Sequence, residues 1–511
     1  MGNDASTSTR PTHDQGRGAC TLAVGSGGGG RLCPTPCDEG ARRTQYAAVV
    51  NSFHMTPDEF REHGRELVEW VASFMERVGD LPVTPDTVPG DVRALLPDTA
   101  PEDGEGFAAL FADLDGIVVP NLTHWQSPNW FAYFPGNTSG PSILGEMASA
   151  ALGNQGMLWS SGPAATEIES QVMDWLVDLL GLPQTWKTTS TGGGVIQGTA
   201  SESTATAIVV ARRRAETDHP VDRLVAYGSD QAHSSIEKGA RIAGFQHIRS
   251  IPTDDRLAMR ADALREAITA DLAAGLVPCI VVSTVGTTST TAVDPIRAIG
   301  EIAAEQGMWH HVDAAYAGTA MICPEFRHHQ DGVELADSYT FNPHKWMFTN
   351  VDCSAFFVAD REPLVDALAI DRPYYRDGAA ADRIDYRDWH IPLGRRFRSL
   401  KLWWVLRWYG AEGIRHHVRE HVRLARELAD RITADDRFEL VAPVPFGLVC
   451  FAHRDGDEAT RSLAQRLNET RRVYLTASEA GGRPFIRVSI GQTHTEQRHV
   501  DALWELIDDL A

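Results

Sequence analysis

The chain has 511 residues, of which 43% are hydrophobic and 23% charged, and a formal charge of −22. That length exceeds what one hydrophobic core fills, so two domains plus an extension are expected, with the composition of a soluble globular protein. So large an acidic excess argues against nucleic acid or an anionic membrane surface as partner. No apolar run reaches the roughly eighteen residues of a membrane span.

Residues 1–54 are rich in Gly, Thr, Ser and Arg, with four glycines in a row from Gly27. Such a segment buries too little apolar surface to offset its ordering entropy, so a disordered tail is expected. It holds Cys20, Cys33 and Cys37, while Cys279, Cys323, Cys353 and Cys450 are scattered through the body. Cys33 and Cys37 have no second ligand pair, so no metal site is expected. Nothing reads as a signal peptide, and the expected location is the cytoplasm with free thiols.

Order begins at Thr56-Pro57-Asp58-Glu59, which has the form of a capping box with proline at the first helical position. The apolar face then runs through Phe60, Leu67, Val68, Val71, Phe74 and Met75 at helical period. A second helix is predicted over 106–118. These helices make 55–135 an N-terminal helical segment that must cover another surface, either the main domain or another subunit, and the partner subunit is the expectation.

Across 136–395 strands alternate with helices. β-like runs fall at 223–227, 247–251, 279–285, 308–312, 338–341 and 354–358, with helical patterns between, as at 260–272 and 295–305. That alternation indicates a mostly parallel sheet with helices on both faces. Residues 396–511 change pattern: a long helix, strands near 439–441, 448–452 and 485–490, and a last amphipathic helix over 496–510. This is a small α+β domain.

The stretch from Gly192 through Gly193, Gly194 and Gly198 to Thr199, Ala200 and Ser201 leads into a helix ending near Arg214. Glycines allow close backbone approach to an anion, and a helix N-terminus supplies N–H groups and a favourable dipole. The stretch is neither a P-loop nor a dinucleotide fingerprint. Downstream, Asp313 closes one apolar strand, and Lys345, in Asn342-Pro343-His344-Lys345-Trp346, follows another. Ligands of open α/β sheets gather at the carboxyl ends of strands, so both groups are expected in one crevice. A lysine there can form a Schiff base with a carbonyl cofactor, and an aspartate can hold charge on a pyridine nitrogen.

These motifs resemble the aromatic-L-amino-acid decarboxylases, the pyridoxal-phosphate-dependent group II decarboxylases. The resemblance runs from Met55 to the C-terminus. It includes Thr123-His124-Trp125, Phe131 to Pro135, Ser229 to Ser235 and Ile391 to Lys401. It implies the aspartate-aminotransferase-like fold (type I of the pyridoxal-phosphate enzymes), pyridoxal 5'-phosphate as cofactor, and a homodimer with shared active sites. Lys345 would carry the cofactor, Asp313 would face its ring nitrogen, and His233 would lie on the ring opposite Ala315. Thr199, Ala200, Ser201, Thr288, Ser338, Asn342 and His344 would surround phosphate and ring, with Gly394 arriving from the neighbouring subunit. Tyr374, in Asp371-Arg372-Pro373-Tyr374-Tyr375, aligns with the proton donor of a mobile loop, and Tyr375 is an adjacent candidate.

The implied reaction is decarboxylation of tryptophan, tyrosine, dopa or phenylalanine to the arylalkylamine. The alternative is an aromatic aldehyde synthase on the same scaffold, and tyrosine at 374 with histidine at 233 favours plain decarboxylation. Trp125, Tyr133, Phe134, Gly136, Gln155 and Met157 would receive the substrate. Met157 is adaptable enough to widen the pocket for indole, whereas Ser161 resembles plant enzymes that prefer phenolic substrates. Arg487 invites an aminotransferase reading, with arginine gripping the substrate carboxylate. A solvated strand arginine is the expectation instead.

Overall fold

In a computed structural model describing residues 53–370 and 383–511, seven strands form the central sheet. They are β1 (Gly193–Gln197), β2 (Leu224–Ser229), β3 (His247–Ile251), β4 (Val277–Thr284), β5 (Trp309–Asp313), β6 (Ser338–Phe341) and β7 (Ser354–Val358). Their spatial order is β1-β7-β6-β5-β4-β2-β3. Only β7 runs against its neighbours, pairing antiparallel with both β1 and β6. Successive side chains point to opposite faces of the sheet. Leu224, Ala226, Ile280 and Val282 pack towards the helix Ala200–Ala215. Val225, Tyr227 and Val281 pack with residues of the helices Ala261–Ala273 and Ile296–Glu305. Both faces are therefore covered, which is why these strands read as continuous apolar runs.

The glycine run has a different role from the one its composition suggests. Gly193 and Gly194 belong to β1 itself, a wholly buried strand. A Cβ on Gly194 would lie 2.5 Å from the Met173 side chain and 2.8 Å from Phe357, and one on Gly193 would lie 2.6 Å from Trp389. Close packing between strand and neighbours requires these two glycines, and the turn towards an anion begins only at Gly198. A strand does lead into this motif; it went unread because strand-forming side chains are missing from half of it.

A second sheet, ordered β10-β11-β9-β8, is antiparallel throughout: β8 (Phe438–Leu440), β9 (Leu448–His453), β10 (Thr476–Ala480) and β11 (Arg483–Ser489). Its core is closed by the helices Asp457–Glu469 and Gln497–Leu510 and by the second half of Arg398–Ala434. The last of these breaks at Gly410, whose φ of 62° only glycine adopts readily. Phe131 is buried in the same core, tied by hydrogen bonds from its N–H to Tyr474 and from Ser489 N–H to its carbonyl. Thus 130–134, expected in the N-terminal segment, threads into the C-terminal layer and ends at the crevice.

Val68–Ala511 is one compact unit. The helix Pro57–Arg77 starts with the expected reciprocal bonds between Thr56 and Glu59. The predicted helix over 106–118 is a helix over Phe107–Asp113 continued by a wider turn, Leu114–Val118. No helix among the described residues is long and apolar enough to cross a membrane.

Candidate active site

The carboxyl ends of β5 and β6 lie side by side, with Asp313 paired in register to Thr340. Asp313 is the last residue of β5, and Lys345 sits on the single helical turn Pro343–Trp346 after β6. Proline cannot continue the ladder, so the chain turns there and brings the lysine back over the strand ends. Together they border a crevice of about 210 Å³. Asp313 is 4% exposed, and its Oδ1 accepts the Ala315 N–H at 2.9 Å.

Thr199, Ala200, Ser201, His233 and Thr288 line this crevice with Asp313 and Lys345. Ala315, Asn342, His344 and Phe134 complete the expected lining. The helix Ala200–Ala215 points its N-terminus here, and the Thr199 side chain makes no capping bond to it. Three further lining residues, Thr284, Gly286 and Tyr316, went unread in the sequence. The signal for them was present: Thr284 and Gly286 lie at or just past the carboxyl end of β4, and Tyr316 follows Asp313 by three residues.

Other expected residues lie elsewhere. Ser338 stands at the amino end of β6, its hydroxyl 2.8 Å from Trp309 Nε1 and 2.9 Å from His311 Nδ1. Three strand residues, Tyr339, Thr340 and Phe341, follow it before the crevice end, so it belongs to the sheet interior and does not line the site. Trp125 and Tyr133 are exposed and stack at 5.7 Å, with Gly136 packed against Trp125. None of the three lines the crevice of its own chain. Nor do Gln155, Met157 and Gly394. Gln155 Oε1 accepts the Arg395 N–H at 3.4 Å, placing it beside exposed Gly394. Tyr374 and Tyr375 lie outside the described residues, as do Cys20, Cys33 and Cys37 and residues 1–52 of the tail.

Arg487 corrects an expectation. It is 4% exposed, and its guanidinium donates to the carbonyls of Tyr133, Thr288 and Ser289 and to Thr476 Oγ1. A charged residue within a strand is expected to face solvent, but here the carbonyls of Thr288 and Ser289 from the 285–292 loop cover Arg487.

Burial lowers the Lys345 pKa; the nearby Arg487 charge adds to this, while Asp313 opposes it. Burial takes the His344 pKa down to about 4, so it is neutral near pH 7, with Nδ1 2.7 Å from the Cys353 carbonyl. Desolvation lowers the His233 pKa, with Asp313 opposing and the Lys345 charge adding to the shift. An aromatic stack floors the site: Phe134 on Tyr316 at 4.0 Å and Tyr316 on Trp346 at 4.7 Å. Lys345 Nζ is 5.2 Å from the Phe134 centroid. Asn342 Oδ1 and Thr284 Oγ1 are buried at this crevice without protein partners among the described residues. Buried polar atoms left open beside an amine, a carboxylate and a helix N-terminus fit a polar aromatic group bearing an aldehyde and a phosphate.

Comparison with known proteins agrees with this geometry. Residues 89–454 match the pyridoxal-dependent decarboxylase conserved domain. The chain is 44% identical over 472 residues to aromatic-L-amino-acid decarboxylase of Bos taurus, covering 89% of this chain and 97% of the relative. The crystal structure of Oryza sativa tryptophan decarboxylase with pyridoxal phosphate and tryptamine superposes with a TM-score of 0.87. It is 41% identical, and the match covers 90% of this chain and 99% of that one. Rhodiola rosea 4-hydroxyphenylacetaldehyde synthase superposes with a TM-score of 0.85 at 40% identity, covering 89% and 98% of the two chains.

Proposed function

This chain belongs to the pyridoxal-dependent decarboxylase family, and we propose that it decarboxylates an aromatic L-amino acid, with pyridoxal 5'-phosphate as cofactor, to the arylalkylamine and carbon dioxide. The observation that carries this reading is one crevice holding Lys345, Asp313 and a stacked aromatic floor. Lys345 would hold the cofactor's aldehyde carbon, Asp313 its ring nitrogen and His233 one face of its ring. Thr199, Ala200 and Ser201 at the helix N-terminus would hold the phosphate, with Thr288, Asn342 and His344 around them. When bound, the protonated ring supplies a sink for the electron pair left at Cα as carbon dioxide departs.

The chain's residues do the rest. Burial biases Lys345 towards the free amine, the form that acts as nucleophile. Asp313, oriented by the Ala315 N–H, would hold the ring nitrogen in its protonated form. Phe134 and Tyr316 exclude water and offer an apolar face to a planar side chain. Tyr374 delivers the proton to Cα, as its alignment in sequence suggests.

In this reading the enzyme is a cytoplasmic homodimer. Residues 55–135 pack on the partner, and 396–511 form the small domain. Phe60, Leu67 and Val68, exposed in the single chain, suit that packing. Gln155, Met157 and Gly394 then reach the partner's crevice together, which accounts for their distance from the crevice of their own chain.

The test is product analysis in air with tryptophan, tyrosine, phenylalanine, dopa, histidine and glutamate side by side. Amine with stoichiometric carbon dioxide from an aromatic substrate is the expected result. Aldehyde with ammonia and peroxide would favour the aldehyde-synthase alternative, which the likeness to the Rhodiola enzyme keeps in view. Turnover of glutamate alone would refute the aromatic assignment.

A further inference from the structure

Arg487 is an enclosed cation that pairs with no carboxylate among the described residues. Enclosing a guanidinium is expensive unless its donors are satisfied, and here backbone carbonyls satisfy them. Those carbonyls come from two separate segments that shape the crevice. Tyr133 O precedes Phe134, the floor of the site, and Tyr133 itself has a φ of 51°, a strained value for a tyrosine. Thr288 O and Ser289 O belong to the loop whose Thr288 lines the crevice. Thr476 Oγ1 ties the arrangement to β10 and also accepts the Tyr133 N–H at 3.2 Å. The Arg487 guanidinium and Lys345 Nζ lie 5.4 Å and 5.2 Å from the Phe134 centroid, so the charges are within about 11 Å of each other.

We propose that Arg487 is a positioning residue for the crevice: one buried guanidinium clamps Tyr133 and the 288–289 turn, fixing Phe134 and Thr288, and sets its charge against the Lys345 ammonium. This deepens, and rests on, the decarboxylase reading. The groups facing Lys345 are Asp313, Arg487, His233 and His344, while Cys450 and Tyr316 face Arg487. Asp313 is the acid among them, so removing Arg487 leaves burial alone to oppose its pull on the ammonium.

Arg487→Gln removes the charge and part of the clamp, Arg487→Lys keeps the charge but loses the fork geometry, and Thr476→Val removes one hydrogen bond alone. Two quantities are read. The first is titration of Lys345 in the full cofactor-free chain, from the pH dependence of its carbamylation by cyanate, located by peptide mass spectrometry. The second is kcat and KM of the loaded enzyme. A unit charge at that separation in an effective dielectric near 20 raises the Lys345 titration midpoint by about one pH unit when removed. Expected results are that upward shift in Arg487→Gln, and no shift in Arg487→Lys or Thr476→Val. Lower kcat is expected in all three, roughly tenfold for the arginine variants and several-fold for Thr476→Val.

An unmoved midpoint in folded Arg487→Gln, or wild-type kcat in Arg487→Lys and Thr476→Val, would overturn the proposal. If Arg487→Gln does not fold, the other two variants decide it through kcat. A wild-type enzyme inactive on every aromatic amino acid would instead overturn the decarboxylase reading, and the titration would still judge Arg487.

Discussion

Replacing Glu169 by alanine tests how the segment bearing Gly394 is held against the sheet. Glu169 and Arg395 are 2% and 3% exposed. Glu169 Oε1 accepts from the Arg395 guanidinium and, at 2.8 Å, from the Ile196 N–H of β1. The guanidinium also donates to the Ile196 carbonyl at 3.0 Å and lies 4.7 Å over the Tyr386 ring. Alanine would leave an enclosed arginine without its counter-charge, at roughly 3–5 kcal/mol. It would also orphan a strand N–H, at about 1 kcal/mol. A total of about 4–6 kcal/mol corresponds to a fall of at least 1 M in the urea midpoint for a slope near 3 kcal/mol per M. The assay is equilibrium urea unfolding of cofactor-saturated enzyme followed by tryptophan fluorescence. The companion Glu169→Leu/Arg395→Met should recover much of the loss, because an apolar pair carries no desolvated charge. A single-variant shift below about 0.3 M, or a double variant no better than the single, would refute the uncompensated-charge argument.

Three further outcomes are expected. Lys345→Ala should abolish turnover while leaving the unfolding free energy from urea titration within about 1 kcal/mol of wild type in the cofactor-free chain; substantial remaining turnover would sink the assigned chemistry. Gly194→Val should destabilise by at least 1–3 kcal/mol, since even a Cβ meets Met173 and Phe357 below contact distance. Thermal unfolding of the variant measures this, and an unchanged Tm would mean that β1 yields more easily than its packing implies. Asp294 is fully enclosed, and burial raises its pKa to about 7 despite hydrogen bonds from the Met259 and Thr284 N–H groups. Its folded pKa exceeds its unfolded value near 3.8, so its contribution is fully present below pH 4 and lost as pH rises towards 7. Asp294→Asn should remove that loss. The stability difference, variant minus wild type, should therefore grow between pH 4 and 7 in urea titrations, and a flat difference would contradict the assignment.

The crevice was legible where chemistry sits on consecutive residues at a strand end. Asp313 and Lys345 could be placed together because apolar runs mark β5 and β6 and because ligands collect where parallel strands end. Strands such as His247–Ile251, Ser338–Phe341 and Ser354–Val358 were read at the bounds they adopt. β1 and β10 were missed because two glycines thin the first and polar residues interrupt the second, removing the alternation that marks a strand. Ser338 was placed in the site by resemblance, although it opens β6 and stands three residues before the strand's crevice end.

Local pattern alone therefore determined the fold class, the lysine–aspartate pair and the helix start after Gly198, since each depends on neighbours within a few residues. Tertiary structure alone decided that Arg487 is enclosed, that Phe131 and Phe134 serve different cores, and that the glycines of β1 are demanded by Met173, Phe357 and Trp389. Burial and close approach arise from segments hundreds of residues apart, and no periodicity along the chain records which of them will meet.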